Sequence, residues 1–211
     1  MSEREYSDKI LYTMWEDVKG KIRFQLVNKE QNKEVLKERL YKEYLDLAAV
    51  FMVEVLKLKE SKVLIPVTEL MALEWGASID DLWKAALNNL EDEECTIVDI
   101  RRFIPDDMRK EVDKANMYVC RMKDGNHGAQ AILKRGLLKR FSKEYKGKIY
   151  ILPSSISETI LVVDDGDIDE NILKLMVEEI NGEWRDAVPE EWLSDSVYYY
   201  DREDDEVKIA A

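Results

Sequence analysis

Apolar and polar positions alternate most legibly between Lys148 and Asn181. Ile149 to Leu152 is a short apolar run of β-favouring residues that stops at Pro153, Ser154 and Ser155, and Thr159 to Val163 is a second run that stops at Asp164, Asp165 and Gly166. Two such runs joined by a short polar link predict an antiparallel pair of strands. Downstream, Ile172, Leu173, Met176, Val177 and Ile180 recur at i, i+1, i+4, i+5 and i+8, which predicts a helix whose apolar stripe covers one face of that pair.

The rest of the chain arranges itself around this unit. Tyr6, Ile10, Leu11, Met14, Trp15 and Val18 predict a docking helix over 5–18, ended by Gly20. Ile22, Phe24 and Leu26 alternate with polar residues as a half-buried strand does, whereas 31–46, rich in Glu and Lys at helical spacings, reads as a solvated helix. Leu47 to Leu58 predicts a buried strand, residues 59–62 a polar turn, and Val63 to Val67 the returning strand. Thr68 is placed to cap a helix that turns Leu70, Met71, Leu73 and Trp75 inward and ends at Gly76. Ser78 and Asp81 form a capping box, with Asp for the usual Glu, before a helix carrying Leu82, Trp83, Ala86, Leu87 and Leu90. Thr96 to Ile100 and Met117 to Met122 read as strands, 106–112 as a helical turn, and Ala129 to Leu133 as the hairpin partner of 117–122. A basic helix over 134–148, with Leu137, Leu138, Phe141 and Tyr145 on its apolar side, stops at Gly147. Val197 to Tyr200, a charged turn over 201–205 and an edge strand over 206–210 complete the chain.

The fold class this order implies is α+β, mainly an antiparallel sheet with packed amphipathic helices. Val50 to Gly76 and Val119 to Gly147 both read strand, turn, strand, helix, glycine, which suggests two pseudo-repeated halves. The expected division is an N-terminal docking helix over 1–20, a first half over 21–114 and a second over 115–211, in one compact unit.

Charge changes this picture. The 211 residues carry a net charge of −13, yet residues 1–163 hold as many basic as acidic side chains. Residues 164–206 hold 17 acidic and three basic side chains, and 134–148 just before them hold seven basic and one acidic. No apolar run approaches the roughly 18 residues that cross a bilayer, and the N-terminus is charged from its start, so a cytoplasmic protein is expected. Cys95 and Cys120 lack metal-ligand spacing and read as reduced thiols, and His127, the single histidine, excludes a His-rich metal site.

Candidate chemistry is sparse. Asp165, Asp167 and Asp169 start like a calcium loop, but Glu170 and Met176 stand where that loop needs glycine and glutamate, so they read as a helix N-terminus capped by Asp167. Ser154, Ser155 and Ser157 lack a G-x-S-x-G elbow and read as turn serines. No catalytic residue, metal ligand or cofactor is assigned. The composition points instead to a non-catalytic interaction or inhibitor protein, whose acidic C-terminal surface (Asp164, Asp165, Asp167, Glu190, Glu191, Asp195, Asp201, Glu203, Asp204 and Asp205) imitates a phosphate backbone and binds a basic partner. Two alternatives stand beside it: a metal-dependent hydrolase or nucleotide-handling enzyme built near Asp164 to Asp169, and a nucleic-acid binder using Lys139, Arg140, Lys143 and Lys146 as anion contacts.

The segments GKIYILPSSISETILVVDDGDIDENILKLMVEEIN and VPEEWLSDSVYYYDRE, with FQLVNKEQNKEVL, DLAAVF, VTELMALEWG, MYV and GAQAILKRGLLKRF before them, resemble a domain-of-unknown-function family of clostridial and related gut bacteria. The resemblance covers roughly residues 21–205, and family members are often longer at the N-terminus. The late order of strands, helix and tyrosine-rich strand is also distantly similar to a second uncharacterised bacterial family. The resemblance implies the α+β fold, brings no catalytic residues, and through the mobile-element setting of such proteins implies a role in conflict or regulation, for example as an anti-defence inhibitor.

Overall fold

The computed structural model describes residues 10–57, 62–105, 116–123, 127–166 and 168–210. The chain is α+β and forms two compact units, Met1–Glu93 and Glu94–Ala211. The division therefore falls ahead of the expected 114/115, because the strand at 95–99 belongs to the second sheet.

In the first unit, strands β1 (Ile22–Asn28), β2 (Tyr41–Tyr44), β3 (Leu47–Lys57) and β4 (Lys62–Pro66) form an antiparallel sheet. β3 pairs with all three of the others: with β1 along one edge, and with β2 and β4 along the other. Leu47 to Val53 are all buried, which is why this strand is a continuous apolar run rather than an alternating one. One face, with Phe24 and Phe51, is covered by a helix over Ile79–Leu90, whose Trp83 ring lies 5.2 Å from Phe24 and 6.5 Å from Phe51. The capping box is present: Ser78 Oγ accepts from the Asp81 amide at 3.2 Å and Asp81 Oδ2 accepts from the Ser78 amide at 3.0 Å. Thr68 Oγ1 likewise accepts from Met71 N at 3.2 Å and caps the helix Glu69–Trp75.

Three expectations in this unit are corrected. The helix predicted over 31–46 is one turn, Lys33–Leu36, followed by β2. Two turn residues, Leu45 at φ 56 and Asp46, return β2 onto the fully apolar β3, whose demand for a partner overrides the local helical spacing. In the helix Glu69–Trp75 it is Met71, Ala72 and Trp75 that are buried, while Leu70 and Leu73 are exposed. The described part of the N-terminal helix is interrupted at 12–14 and resumes over Trp15–Val18; its first residues, like the turn at 59–61, lie outside the described residues.

The second unit is a six-stranded antiparallel sheet in the order β10, β9, β7, β8, β6, β5, where β5 is Cys95–Asp99, β6 Met117–Met122, β7 Ile149–Leu152, β8 Thr159–Val163, β9 Tyr198–Asp201 and β10 Glu206–Ile209. All four residues of β7 are buried, so both faces of the sheet are covered at its centre. Ala129 to Leu133, expected as the hairpin partner of β6, is a 3-10 helix over Gly128–Leu133. The reason is topological: β6 already pairs with β5 on one side and β8 on the other. The segment folds over the sheet instead, burying Ala129, Ala131 and Ile132. With that strand gone, the two halves differ in strand number and order, and the proposed repeat does not extend to topology. The helical turn predicted over 106–112 lies outside the described residues, as do residues 124–126 between β6 and the 3-10 helix.

Two glycines are required by close approach. A Cβ on Gly147 would lie 1.5 Å from the Asp164 carbonyl oxygen, and one on Gly128 would lie 2.1 Å from that of Ser157, whereas Gly20 has open space. Gly147→Ala and Gly128→Ala are each expected to lose about 2 kcal/mol or more in denaturant melts, while Gly20→Ala should lie within about 1 kcal/mol of the parent. Equal behaviour of the three variants would contradict the packing described.

Candidate interaction surface

The sheet of the second unit separates two helices of opposite charge. On one face lie Tyr150, Leu152, Val162 and Val197, packed with Leu173 and Val177 of the helix Glu170–Ala187, here called the acidic helix. On the other face lies Tyr118, since side chains alternate along β6 and its neighbour Met117 packs on the first face. The Tyr118 ring lies 5.1 Å from Phe141 of the helix Leu137–Ser142 and 5.7 Å from Tyr145. This helix is shorter than the expected 134–148, because Gly136 at φ 65 opens it and Lys143 closes it. Lys139, Arg140, Lys143 and Lys146 are exposed on this second side.

The expected acidic surface resolves into local groups that mostly serve the fold. Asp164 Oδ1 accepts from Gly166 N at 2.7 Å and Ile168 N at 3.2 Å, tying the loop that leads into the acidic helix. Asp165 accepts from the Asn116 side chain at 2.8 Å. Asp167, the predicted cap, lies outside the described residues, and Asp169 performs that role: its carbonyl accepts from Leu173 N at 3.1 Å and its carboxylate from Asn171 N at 2.8 Å. Glu170 turns back onto the sheet, accepting from Lys148 Nζ at 2.6 Å and the Tyr150 hydroxyl at 2.9 Å. Lys148 Nζ in turn lies 4.8 Å from the centre of the Tyr150 ring and 4.3 Å from that of Tyr199. The Lys148 ammonium, followed by the Tyr150 hydroxyl, holds the Glu170 carboxyl below its ordinary range.

After the acidic helix, Glu191 accepts from Ser157 Oγ at 3.2 Å and Glu190 is exposed. Asp195 is a hub: it accepts from the Asn181 side chain at 3.0 Å, Trp192 Nε1 at 3.0 Å and Arg185 at 2.9 Å. Asn181, itself buried, also donates to the Ser194 carbonyl at 2.7 Å. In the β9–β10 turn, Asp201 accepts from Glu203 N at 2.9 Å and Lys208 Nζ at 2.7 Å, and Asp204 pairs with the same lysine. Asp205 accepts from the buried Tyr200 hydroxyl and pairs with Lys139 at 3.2 Å, while Glu203 is exposed. Asp205 thus meets the basic helix directly, and one of the proposed anion contacts, Lys139, is neutralised within the fold.

Other candidate chemistry resolves the same way. Ser155 Oγ accepts from Ser157 N and Glu158 N at 3.1 and 3.3 Å, and Ser154 Oγ donates to Glu158 O at 3.2 Å, so these serines hold the β7–β8 turn. Burial pushes the Cys120 thiol up to about 12, which keeps it protonated. Among the described residues, no group of three or more His, Cys, Asp or Glu side chains is placed to hold a metal ion.

The acidic helix also has an outer face that hydrophobic spacing alone did not reveal. Of the predicted stripe, Leu173 and Val177 point inward, followed one turn later by buried Asn181, whereas Ile172 and Met176 are exposed; the side chain of Ile180 lies outside the described residues. Ile172, Leu175 and Met176 are 57%, 64% and 40% exposed, and exposed Glu178 and Glu179 follow them. Leu175, which fits no inward stripe with Leu173 and Val177, is the residue whose position could have signalled a second face.

Asp195→Ala removes the acceptor of Arg185 and Trp192 and one of the two acceptors of Asn181, and is expected to cost about 1–3 kcal/mol in a denaturant melt, while Glu190→Ala stays within about 0.5 kcal/mol. Because the folded-state value of Glu170 is depressed, its stabilisation is present above the ordinary 4.5 and is lost as pH falls through the lower folded value. Glu170→Gln should therefore flatten the acid limb of the stability profile below about pH 4.5; an unchanged limb would show that the Lys148 pairing is not formed in solution.

No helix among the described residues is long and apolar enough to cross a membrane. Comparison with curated proteins and with solved structures finds no match to this chain. The profile of one family of unknown function does match, and it spans residues 2–202, which takes in the first sheet and every strand of the second but β10. The protein belongs to the family of unknown function DUF5688.

Proposed function

We propose that this protein is a non-catalytic interaction protein that engages a basic partner through the acidic side of its second sheet. In its sharpest form the partner is itself a nucleic-acid-binding protein, inhibited by a surface that stands in for a phosphate backbone. One observation carries the reading. Glu178 and Glu179 are exposed on the acidic helix, across the sheet from the helix bearing Lys139 and Arg140. A cationic partner approaching that side meets exposed carboxylates on the face of the sheet away from Lys139 and Arg140, with Glu178 only loosely paired to Lys174 at 3.9 Å. The acids of the β9–β10 turn contribute less, because Lys139 and Lys208 already occupy them.

A second reading rests on the opposite side. Arg140, Lys143 and Lys146 are exposed there, and they suit phosphate contacts of a directly bound nucleic acid.

Capture from a lysate of the source cells with tagged protein, at low and high salt and with and without nuclease, separates the two. The first reading expects a basic protein that survives nuclease, is released by salt, and is lost on joint Glu178→Gln and Glu179→Gln replacement. Nuclease-sensitive capture weakened by Lys143→Ala would favour the second reading. Salt-insensitive capture would overturn both.

A further inference from the structure

We propose that the outward face of the acidic helix is the seat of a basic amphipathic helix supplied by the partner; this rests on the acidic-interaction reading and names the chemistry of what binds. At 100° per residue, Ile172, Leu175 and Met176 span an arc of about 100°, with Ile172 and Leu175 opposite the side of Leu173, Val177 and Asn181 that faces the sheet and Met176 at the flank. Glu179 continues the arc one turn later. Glu178, paired with Lys174 at 3.9 Å, borders it on one side and the capping residue Asp169 on the other, both exposed. An apolar strip bordered by carboxylates is the complement of a helix with apolar residues at i, i+3 and i+4 bordered by Lys or Arg.

The strip has the dimensions for this. From Ile172 to Glu179 the helix rises about 10 Å, enough to seat about two turns of a partner helix lying along it. Carboxylates alone would attract any cation. Three exposed apolar side chains in register, at 57%, 64% and 40% exposure, require an apolar counterpart to leave water. A second copy of the chain is a poorer complement, because an antiparallel pairing of two such faces centred on Ile172 and Leu175 would set Glu178 beside the other copy's Asp169, carboxylate against carboxylate. A bare polycation supplies the charge without the apolar ridge.

The test uses the full chain and three labelled probes: a helical peptide of about five turns with leucines along one face and lysines beside them, a scrambled peptide of the same composition, and an oligolysine of equal charge. Fluorescence anisotropy at low and moderate salt is expected to show the helical peptide binding about tenfold or more tightly than either control. Leu175→Gln and Ile172→Gln, both at exposed positions, should remove most of that advantage while leaving oligolysine binding unchanged. Equal affinity for all three probes, or an advantage untouched by Leu175→Gln, would overturn the helical seat while leaving the acidic reading intact. Binding of none of the three would overturn the acidic reading itself. Light scattering on the protein alone should give a monomer; a dimer broken by Leu175→Gln would show that a second copy occupies the strip and would likewise overturn the proposal.

Discussion

The β7–β8 hairpin has no wet face. Ile149 to Leu152 are all buried, and on β8 Thr159, Leu161, Val162 and Val163 join them, so each face must be covered by something the chain supplies. The acidic helix covers one face through Leu173 and Val177. On the other, the 3-10 segment and the basic helix contribute Ala129, Ile132, Leu138 and Phe141. Burying both faces of a central antiparallel pair puts two helices on opposite sides of one sheet, and with them two surfaces of opposite charge. The charge asymmetry along the chain becomes an asymmetry across the sheet.

Much of this was legible from local signals. The hairpin, the capping box at Ser78 and Asp81 and the edge strand β10 follow from alternation and cap chemistry and are found within a residue or two of their expected bounds. The acidic helix follows from its spacing but runs on to Ala187, past the Ile180 that ended the expected stripe. What local pattern missed was decided at long range. β2 forms because β3 is apolar on both faces, and nothing in Glu43 or Tyr44 announces that. Ala129 to Leu133 has strand-like composition, but both edges of β6 were taken by segments far away in sequence. No residue pattern encodes that exclusion.

The candidate surface was legible in sign and not in role. Counting carboxylates located the acidic segment, but counting does not separate a carboxylate that binds a partner from one that closes a turn. Asp195 gathers three donors, Asp201 holds the β9–β10 turn, and Glu170 is turned in to Lys148 and Tyr150. These are as acidic as the exposed Glu179 and Glu190, and the difference lies in what reaches them. The apolar outer face was hidden for a related reason: Ile172 and Met176 fit an inward stripe by spacing, and only the packing of Leu173 and Val177 fixes the helix's rotation and turns them out.

The central claim is that the acidic helix, not the turn acids or the basic helix, meets the partner. Hydrogen exchange read by mass spectrometry, on the full chain with and without a saturating basic amphipathic peptide, tests it most directly. The expected result is slowed exchange within residues 170–187, with 137–142 and 201–206 unchanged. Protection confined to 137–142 or 201–206 would contradict the account.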